Sequence, residues 1–167
     1  STFDAHHNTP VHSIYYSVLT RILVTVDVRA IIKLWQMPTA TFKFAAPLGE
    51  LPTAVACSRT FPRMLMGHAD GTVRMIYLKQ GSPEQIDPVQ TVTPHTDEIL
   101  CLTFCDALRL YASSSADRSV HVRDFANRLL HRLNFDRPAR SVVFTDDRGS
   151  MMLSQGISVI TIASELV

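Results

Sequence analysis

Apolar and polar positions alternate in short runs along most of the chain. Within the runs, Val, Ile, Leu, Tyr and Thr recur at every second position, which places them on one face of a β-strand. Turn residues such as Asp, Gly, Pro and Ser separate the runs, as expected for many short strands. The sequence therefore predicts an all-β fold, with strands at residues 11–16, 22–26, 31–35, 54–57, 72–77, 99–104, 119–122, 141–144 and 159–162.

The strongest hairpin signal is the pair Asp70 and Gly71. This pair lies between two apolar runs at residues 64–66 and 72–73. Both residue types tolerate positive φ, which tight hairpin turns require. We expect a turn between two paired strands here.

Residues 124–135 are compatible with two structures. Apolar residues recur in this segment at four-residue spacing, which fits a helix with Asp124 as its N-cap. From Leu129 to Phe135 they also alternate with polar residues, which fits a strand. The repeat described next favours the strand.

The chain repeats itself with a period in the low forties. His7 to Trp35 and His95 to Arg123 each span 28 positions and align without gaps. A fourth, weaker copy follows the third. The equivalent positions are separated by 41, 47 and 40 residues: Trp35, Ile76, Arg123 and Ala163. This period, with about four strands in each unit, is typical of a propeller blade.

The recurrence resembles the WD40 repeat family over nearly the whole chain. The residues that carry the resemblance are His7 and Trp35 in the first copy, Asp70 and Gly71 in the second, and His95, Ser113, Asp117 and Asp124 in the third. The resemblance implies a partial WD40-type β-propeller of about four four-stranded blades, in a larger ring of an expected seven. The expected blades are residues 1–38, 39–80, 88–126 and 127–167, as a fragment of a longer chain that supplies the remainder of the propeller.

The copies depart from the family pattern. In the family, a His, a Ser or Thr, an Asp and a Trp form a hydrogen-bonded tetrad in each blade. No copy has all four at the expected positions: Arg29 replaces the Asp in the first, Leu48 and Ile76 replace the His and Trp in the second, and Arg123 replaces the Trp in the third. We therefore expect degenerate blades, with an intact contact between His95 and Asp117 in the third.

Two further local features carry expectations. The extra residues of the longest interval fall at 79–94, where Gly and Pro predict an elaborated loop and a candidate contact element. Cys101 and Cys105 are four residues apart on a predicted strand, which places their Cα atoms roughly 13 Å apart, too far for a disulfide. With Cys57, they are expected to be reduced thiols.

Composition and charge narrow the class of protein. The chain is 46% hydrophobic with a formal net charge of +1, which argues against intrinsic disorder and against a dedicated nucleic-acid-binding protein. Its apolar runs are too short to span a membrane.

We find no catalytic constellation. The cluster of His6, His7 and His12 lacks the spacing of a metal site, and His7 is already explained as the blade histidine. There is no nucleophile elbow and no phosphate-binding glycine loop. We expect no enzyme activity and no cofactor.

Arginine is distributed unevenly. A stretch between residues 118 and 140 is rich in Arg and contains only two acidic residues, Asp124 and Asp136. It could dock an acidic protein surface, such as that of tubulin, or it could be a solvated rim that discourages edge pairing. The candidate partner surface consists of Arg118, Arg128, Arg132, Arg137 and Arg140.

The resemblance implies a non-catalytic scaffold that binds other proteins in a large complex. The loose, Trp-poor repeats are similar in style to those of large ciliary and axonemal WD proteins, which gives a cytoplasmic location, in the cytoskeleton or cilium, as the expectation. The alternative is a substrate receptor or adaptor of a ubiquitin ligase or another cytoplasmic complex. WD40 substrate receptors of ubiquitin ligases often carry Trp-Asp-x-Arg after a blade strand. This motif is missing at the equivalent residues 35–38 and 123–126.

Overall fold

The computed structural model describes residues 7–78 and 88–163. Within these residues there are fifteen strands and no helix. The strands are β1 (Val11–Ser17), β2 (Ile22–Asp27), β3 (Ile31–Gln36), β4 (Thr41–Pro47), β5 (Ala54–Cys57), β6 (Arg63–Gly67), β7 (Val73–Tyr77), β8 (Pro88–Val92), β9 (Ile99–Cys105), β10 (Leu110–Ser115), β11 (Ser119–Asp124), β12 (Leu129–Asn134), β13 (Ser141–Phe144), β14 (Met151–Gln155) and β15 (Ser158–Ile162). The all-β prediction is confirmed.

The strands form four antiparallel sheets, each ordered as in the sequence. We call them blade 1 (β1–β4), blade 2 (β5–β8), blade 3 (β9–β12) and blade 4, which has three strands among the described residues (β13–β15). The first strand of each blade contacts the first strand of the next, from β1 through β5 and β9 to β13. The blades therefore follow one another around an axis lined by their first strands, as in a β-propeller.

Three hydrophobic clusters hold neighbouring blades together. The cluster between blades 1 and 2 is built around Val24, Ile32 and Met66. Leu65, Ile99 and Tyr111 belong to the cluster between blades 2 and 3, and a third cluster joins blades 3 and 4. Full burial of one such side chain contributes about 1.5–3 kcal/mol, so these interfaces are the main source of stability.

The outer faces of blades 1 and 4 carry exposed apolar side chains. On blade 1 these include Ile14 and Phe42, and on blade 4 Val143 and Val159. Within the described residues, no further sheet covers either face.

Residues 124–135 adopt the strand alternative. Asp124 ends β11, the chain turns at Asn127 with a φ of 64°, and β12 pairs with β11. Leu133 and Phe135 then pack into the cluster between blades 3 and 4. A helix would lose both the pairing and this packing.

The prediction of a loop over residues 79–94 is wrong for part of this range. Pro88–Val92 is β8, the outer strand of blade 2, and it pairs with β7. Proline is compatible with this place because the first residue of an edge strand need not donate to the ladder. Residues 79–87 lie outside the described residues.

The turn predicted at Asp70 and Gly71 is confirmed. It joins β6 to β7, and Gly71 has a φ of +82°. A Cβ atom on Gly71 would lie 2.4 Å from the carbonyl oxygen of His95, so glycine also lets this turn approach blade 3.

The described residues contain no helix of the length and hydropathy that a membrane crossing needs.

Candidate functional site: the two ends of the blades

Each blade has two ends with different connections. The upper end carries the segment that leads into the first strand and the turn between the second and third strands. The lower end carries the turns between the first and second strands and between the third and fourth. Propellers use such loop-bearing ends for contacts, so the polar residues are described by end.

The upper end of blade 3 contains a buried hydrogen-bond network around His95. Its Nδ1 lies 2.9 Å from Oδ2 of Asp117, and its Nε2 lies 2.9 Å from Oγ of Ser113. Asp117 also accepts hydrogen bonds from the backbone N–H and the hydroxyl of Ser119. The expected contact between His95 and Asp117 is present, and it joins the segment before β9 to the β10–β11 turn.

The environment sets the charge of this network. Burial lowers the pKa of His95, although Asp117 opposes the effect. Burial alone would raise the pKa of Asp117, but the hydrogen bonds from Ser119 and Thr96 outweigh it and lower the pKa to about 2. The pair is therefore a neutral imidazole that donates to a carboxylate.

His121 is a buried histidine that sequence reasoning missed. Its ring stacks on His95, with 4.2 Å between the centroids. Burial, then the proximity of His95 and Arg123, lowers its pKa to about 4. Its Nδ1 has no hydrogen-bond partner among the described residues. A polar residue at an inward position of β11 is the only signal in the sequence.

Blade 1 corrects the expectation that no copy has the full tetrad. Nδ1 of His7 lies 3.2 Å from Oδ2 of Asp27, and its Nε2 lies 2.7 Å from Oγ1 of Thr25. The indole N–H of Trp35 donates to the same hydroxyl over 3.1 Å. His7, Thr25, Asp27 and Trp35 thus form a complete set.

The alignment of the copies places the aspartate of blade 1 at position 29. The residue that fills this role is Asp27, two positions earlier. Asp27 ends β2 and accepts backbone hydrogen bonds from Arg29 and Ile31, so it organises the β2–β3 turn from its first residue. Burial opposes ionisation of Asp27, but the hydrogen bonds from Ile31, Thr9, His7 and Arg29 outweigh it and lower the pKa to about 2. A tolerance of two residues in the alignment would have found it.

In blade 2 the acid lies in the segment before the first strand and the histidine lies in the turn between the second and third strands, which is the reverse of blades 1 and 3. Glu50, rather than Leu48, reaches the β6–β7 turn, and its Oε1 lies 3.1 Å from Nδ1 of the fully buried His68. The angles do not make this contact a hydrogen bond, so both ring nitrogens of His68 lack one among the described residues. Arg74 also contacts Glu50, over 3.5 Å. Burial, then Arg74, lowers the pKa of His68 and keeps the ring neutral.

Asp70 and Asp124 organise turns rather than binding sites. Asp70 accepts from the N–H and the hydroxyl of Thr72, both over 2.8 Å. Asp124, at the lower end of blade 3, accepts from the backbone N–H groups of Ala126 and Arg128. Both carboxylates do the work of local turn stabilisation.

The structure divides the five arginines of the candidate partner surface. Arg118 lies in the β10–β11 turn, and Arg137 and Arg140 lie between β12 and β13, so these three share the upper end of blades 3 and 4. Arg128 lies at the lower end, where its Nε donates to Asp124 over 2.6 Å. Arg132 is on the outer edge strand β12, and its Nε donates to the amide oxygen of Asn134.

A cleft of about 810 Å³ lies at the lower end, where the first strands of blades 2, 3 and 4 finish. Asp106 closes one side of it by accepting from the hydroxyl of Ser58 and the backbone N–H groups of Arg59 and Thr60. This carboxylate therefore links blade 3 to blade 2.

The groups near the cleft are poor candidates for catalysis. Burial raises the pKa of the Cys57 thiol to about 11, which leaves it a weak nucleophile. All three cysteines are free thiols, as expected. Among the described residues, no group of three His, Cys, Asp or Glu side chains could hold a metal ion. His6 lies outside the described residues.

The fold defines a repeat protein of the β-propeller class, and in blades 1 and 3 a histidine, an aspartate and a hydroxyl form a hydrogen-bonded network at the upper end. The family model described as WD domain, G-beta repeat, matches residues 86–124, which cover blade 3 up to the end of β11 and the outer strand of blade 2. The matched segment is a repeat of the WD40 family, and the four antiparallel sheets are consistent with blades of a partial WD40-type propeller.

Proposed function

We propose that this protein is a non-catalytic scaffold that binds other proteins through the ends of its blades. WD40 domains generally mediate contacts between proteins. One observation carries the proposal for this chain: the histidines of the networks in blades 1 and 3, His7 and His95, are hydrogen-bonded through both ring nitrogens inside their own blades. His95 and Asp117 are hydrogen-bonded to each other and to serines, whereas Arg118, Arg137 and Arg140 are exposed on a turn and a connection.

The same distribution supports a role without catalysis. A general base needs hydrogen-bond access to a substrate, and His7 and His95 have both ring nitrogens engaged in their own blades. His68 and His121 are buried and neutral.

The finer assignment that we propose is a structural component of a large cytoplasmic assembly, such as the axoneme of a cilium or flagellum. The support is the degenerate style of the repeats and the exposed arginines, which would suit an acidic surface such as that of tubulin. The open apolar faces of blades 1 and 4 would pack against the remainder of the propeller, because an uncovered blade face is costly in water. An adaptor of a ubiquitin ligase is the alternative, and the absence of Trp-Asp-x-Arg after β3 and β11 disfavours it.

The test is proximity labelling in ciliated cells, with the protein fused to a biotin ligase, followed by mass spectrometry of the labelled proteins. We expect a reproducible set of cytoskeletal or axonemal proteins that is reduced when Arg137 and Arg140 are reversed to Glu. The matched control is Lys43→Glu, an exposed charge on the outer strand of blade 1. Enrichment of ubiquitin-ligase subunits would favour the alternative, and a labelled set identical to that of the free ligase would reject the scaffold.

A further inference from the structure

The upper end of blades 3 and 4 carries three exposed arginines that have no ion-pair partner among the described residues, beside the exposed Asp97 and Glu98 of the segment before β9. Arg118, Arg137 and Arg140 are all exposed. Within the described residues, no carboxylate lies within ion-pair distance of their guanidinium groups. The nearby carboxylate of Asp117 is already committed to His95 and Ser119.

The three arginines belong to connected pieces of backbone. The N–H of Phe135 donates to the carbonyl of Arg118, so the β10–β11 turn lies beside the start of the connection from blade 3 to blade 4. That connection carries Arg137 and ends at Arg140, whose N–H donates to the carbonyl of Ser154 in β14. The two blades thus hold the three backbones on one continuous surface.

An exposed apolar side chain lies next to this charge. Ile157 forms the tip of the β14–β15 turn and is 105% exposed relative to the reference state, so its side chain makes almost no contact with the protein. Arg137 Nη1 lies 3.7 Å from the position that a Cβ atom on the preceding Gly156 would occupy. The guanidinium of Arg137 therefore lies beside the turn that carries Ile157.

We propose that Arg118, Arg137, Arg140 and Ile157 form a docking surface for an acidic peptide segment that carries a large apolar residue beside its carboxylates. The arginines bind the carboxylates, and burial of Ile157 against the apolar residue favours a protein segment over a purely ionic ligand. This inference deepens the proposed scaffold function and rests on it.

Asp136 adds a distinctive expectation. It is exposed and lies in the same connection as Arg137, where its negative charge repels an acidic ligand. Asp136→Asn should therefore tighten binding, by roughly twofold at low salt. A change that merely disturbed the loop would not do so.

The test is fluorescence anisotropy of the 167-residue protein with a labelled peptide of Glu and Leu residues. Arg137→Glu and Arg140→Glu should each weaken binding roughly five- to tenfold, with the loss shrinking at high salt. Ile157→Ser should weaken it by a similar factor that persists at high salt. Lys43→Glu is the control and should leave the affinity unchanged, and urea unfolding verifies that each variant is folded.

Several outcomes would overturn the docking surface. They are equal losses in Lys43→Glu and Arg137→Glu, equal affinity for a peptide of Lys and Leu, or equal affinity for a peptide of Glu alone. Arginine-dependent binding to vesicles of anionic phospholipid, without binding to the peptide, would assign the surface to a membrane instead. If the peptide does not bind but proximity labelling still returns a set that exceeds the free-ligase control, the docking surface is rejected while the scaffold function stands.

Discussion

At the residue scale, the blades are held by polar side chains that act from positions which vary by a residue or two. In blade 1, Asp27 takes the role of the aspartate that was expected at position 29. In blade 2, Glu50 before the first strand and His68 at the turn replace the usual histidine before the first strand and aspartate at the turn. Each arrangement connects the turn between the second and third strands to the segment before the first strand. Blade 1 therefore keeps the hydrogen-bond geometry although its aspartate lies two residues earlier, whereas blade 2 keeps only a close contact between Glu50 and His68.

Asp27→Asn should destabilise the protein by about 1–3 kcal/mol, because an NH2 group replaces one of the two acceptor oxygens on which four donors now converge. Those donors are Thr9, His7, and the backbone N–H groups of Arg29 and Ile31. Urea unfolding followed by the fluorescence of the single tryptophan, Trp35, reports on the same network. Arg29→Ala is the control and should change stability by less than about 0.5 kcal/mol, because Arg29 is exposed. An equal effect of the two substitutions would contradict the role of Asp27.

The buried histidines predict acid sensitivity. The pKa of His121 is lowered to about 4, first by burial and then by His95 and Arg123, whereas the unfolded chain titrates near 6.5. As pH falls below about 6.5 the unfolded state takes up a proton that the folded state refuses, so stability falls until about pH 4. His121→Phe should retain the ring stacking and reduce the slope of unfolding free energy between pH 6.5 and 4.5. An unchanged slope in urea titrations at several pH values would show that His121 does not contribute.

At the element scale, the turns decide how closely neighbouring blades approach. Gly71 turns β6 into β7 and lies against the carbonyl of His95 in blade 3. Gly49, before β5, has a similar φ of +86° but open space around its Cα atom. A comparison of alanine substitutions at these two glycines therefore separates the cost of positive φ from the cost of a steric clash.

Gly49→Ala should cost about 1 kcal/mol, which is the cost of positive φ for a residue with a Cβ atom. Gly71→Ala should cost about 2–4 kcal/mol, because its Cβ atom would also meet the His95 carbonyl at 2.4 Å. Denaturant unfolding of the pair gives the difference directly. Equal losses would mean that blades 2 and 3 do not meet at this turn.

Most elements could be predicted from alternation and turn chemistry, and the exceptions have physical reasons. Residues 124–135 were ambiguous because local periodicity fits both structures, and only pairing with β11 resolves it. Pro88 concealed β8, since proline is tolerated only at special strand positions. The tetrad of blade 1 was missed because Asp27 reaches the network from the end of β2. The division of the arginines could not be seen, since it depends on which end of the blade each turn occupies.

At the scale of the whole molecule, the account depends on blades packed side by side around an axis. The contacts along the axis link Thr53 to Ile99 between blades 2 and 3, and Cys101 to Val142 between blades 3 and 4. The Thr53 hydroxyl donates to the Ile99 carbonyl over 2.6 Å, and the Val142 N–H donates to the Cys101 sulfur over 3.4 Å. The surface formed by blades 3 and 4 exists only if this order holds.

Nuclear Overhauser effects across the first strands test this order most directly. We predict cross-peaks between protons of Thr53 and Ile99 and between those of Cys101 and Val142, together with strand-type cross-peaks between β11 and β12. Loss of the inter-blade cross-peaks, or helical cross-peaks through residues 125–133, would contradict the propeller arrangement and the interaction surface built on it.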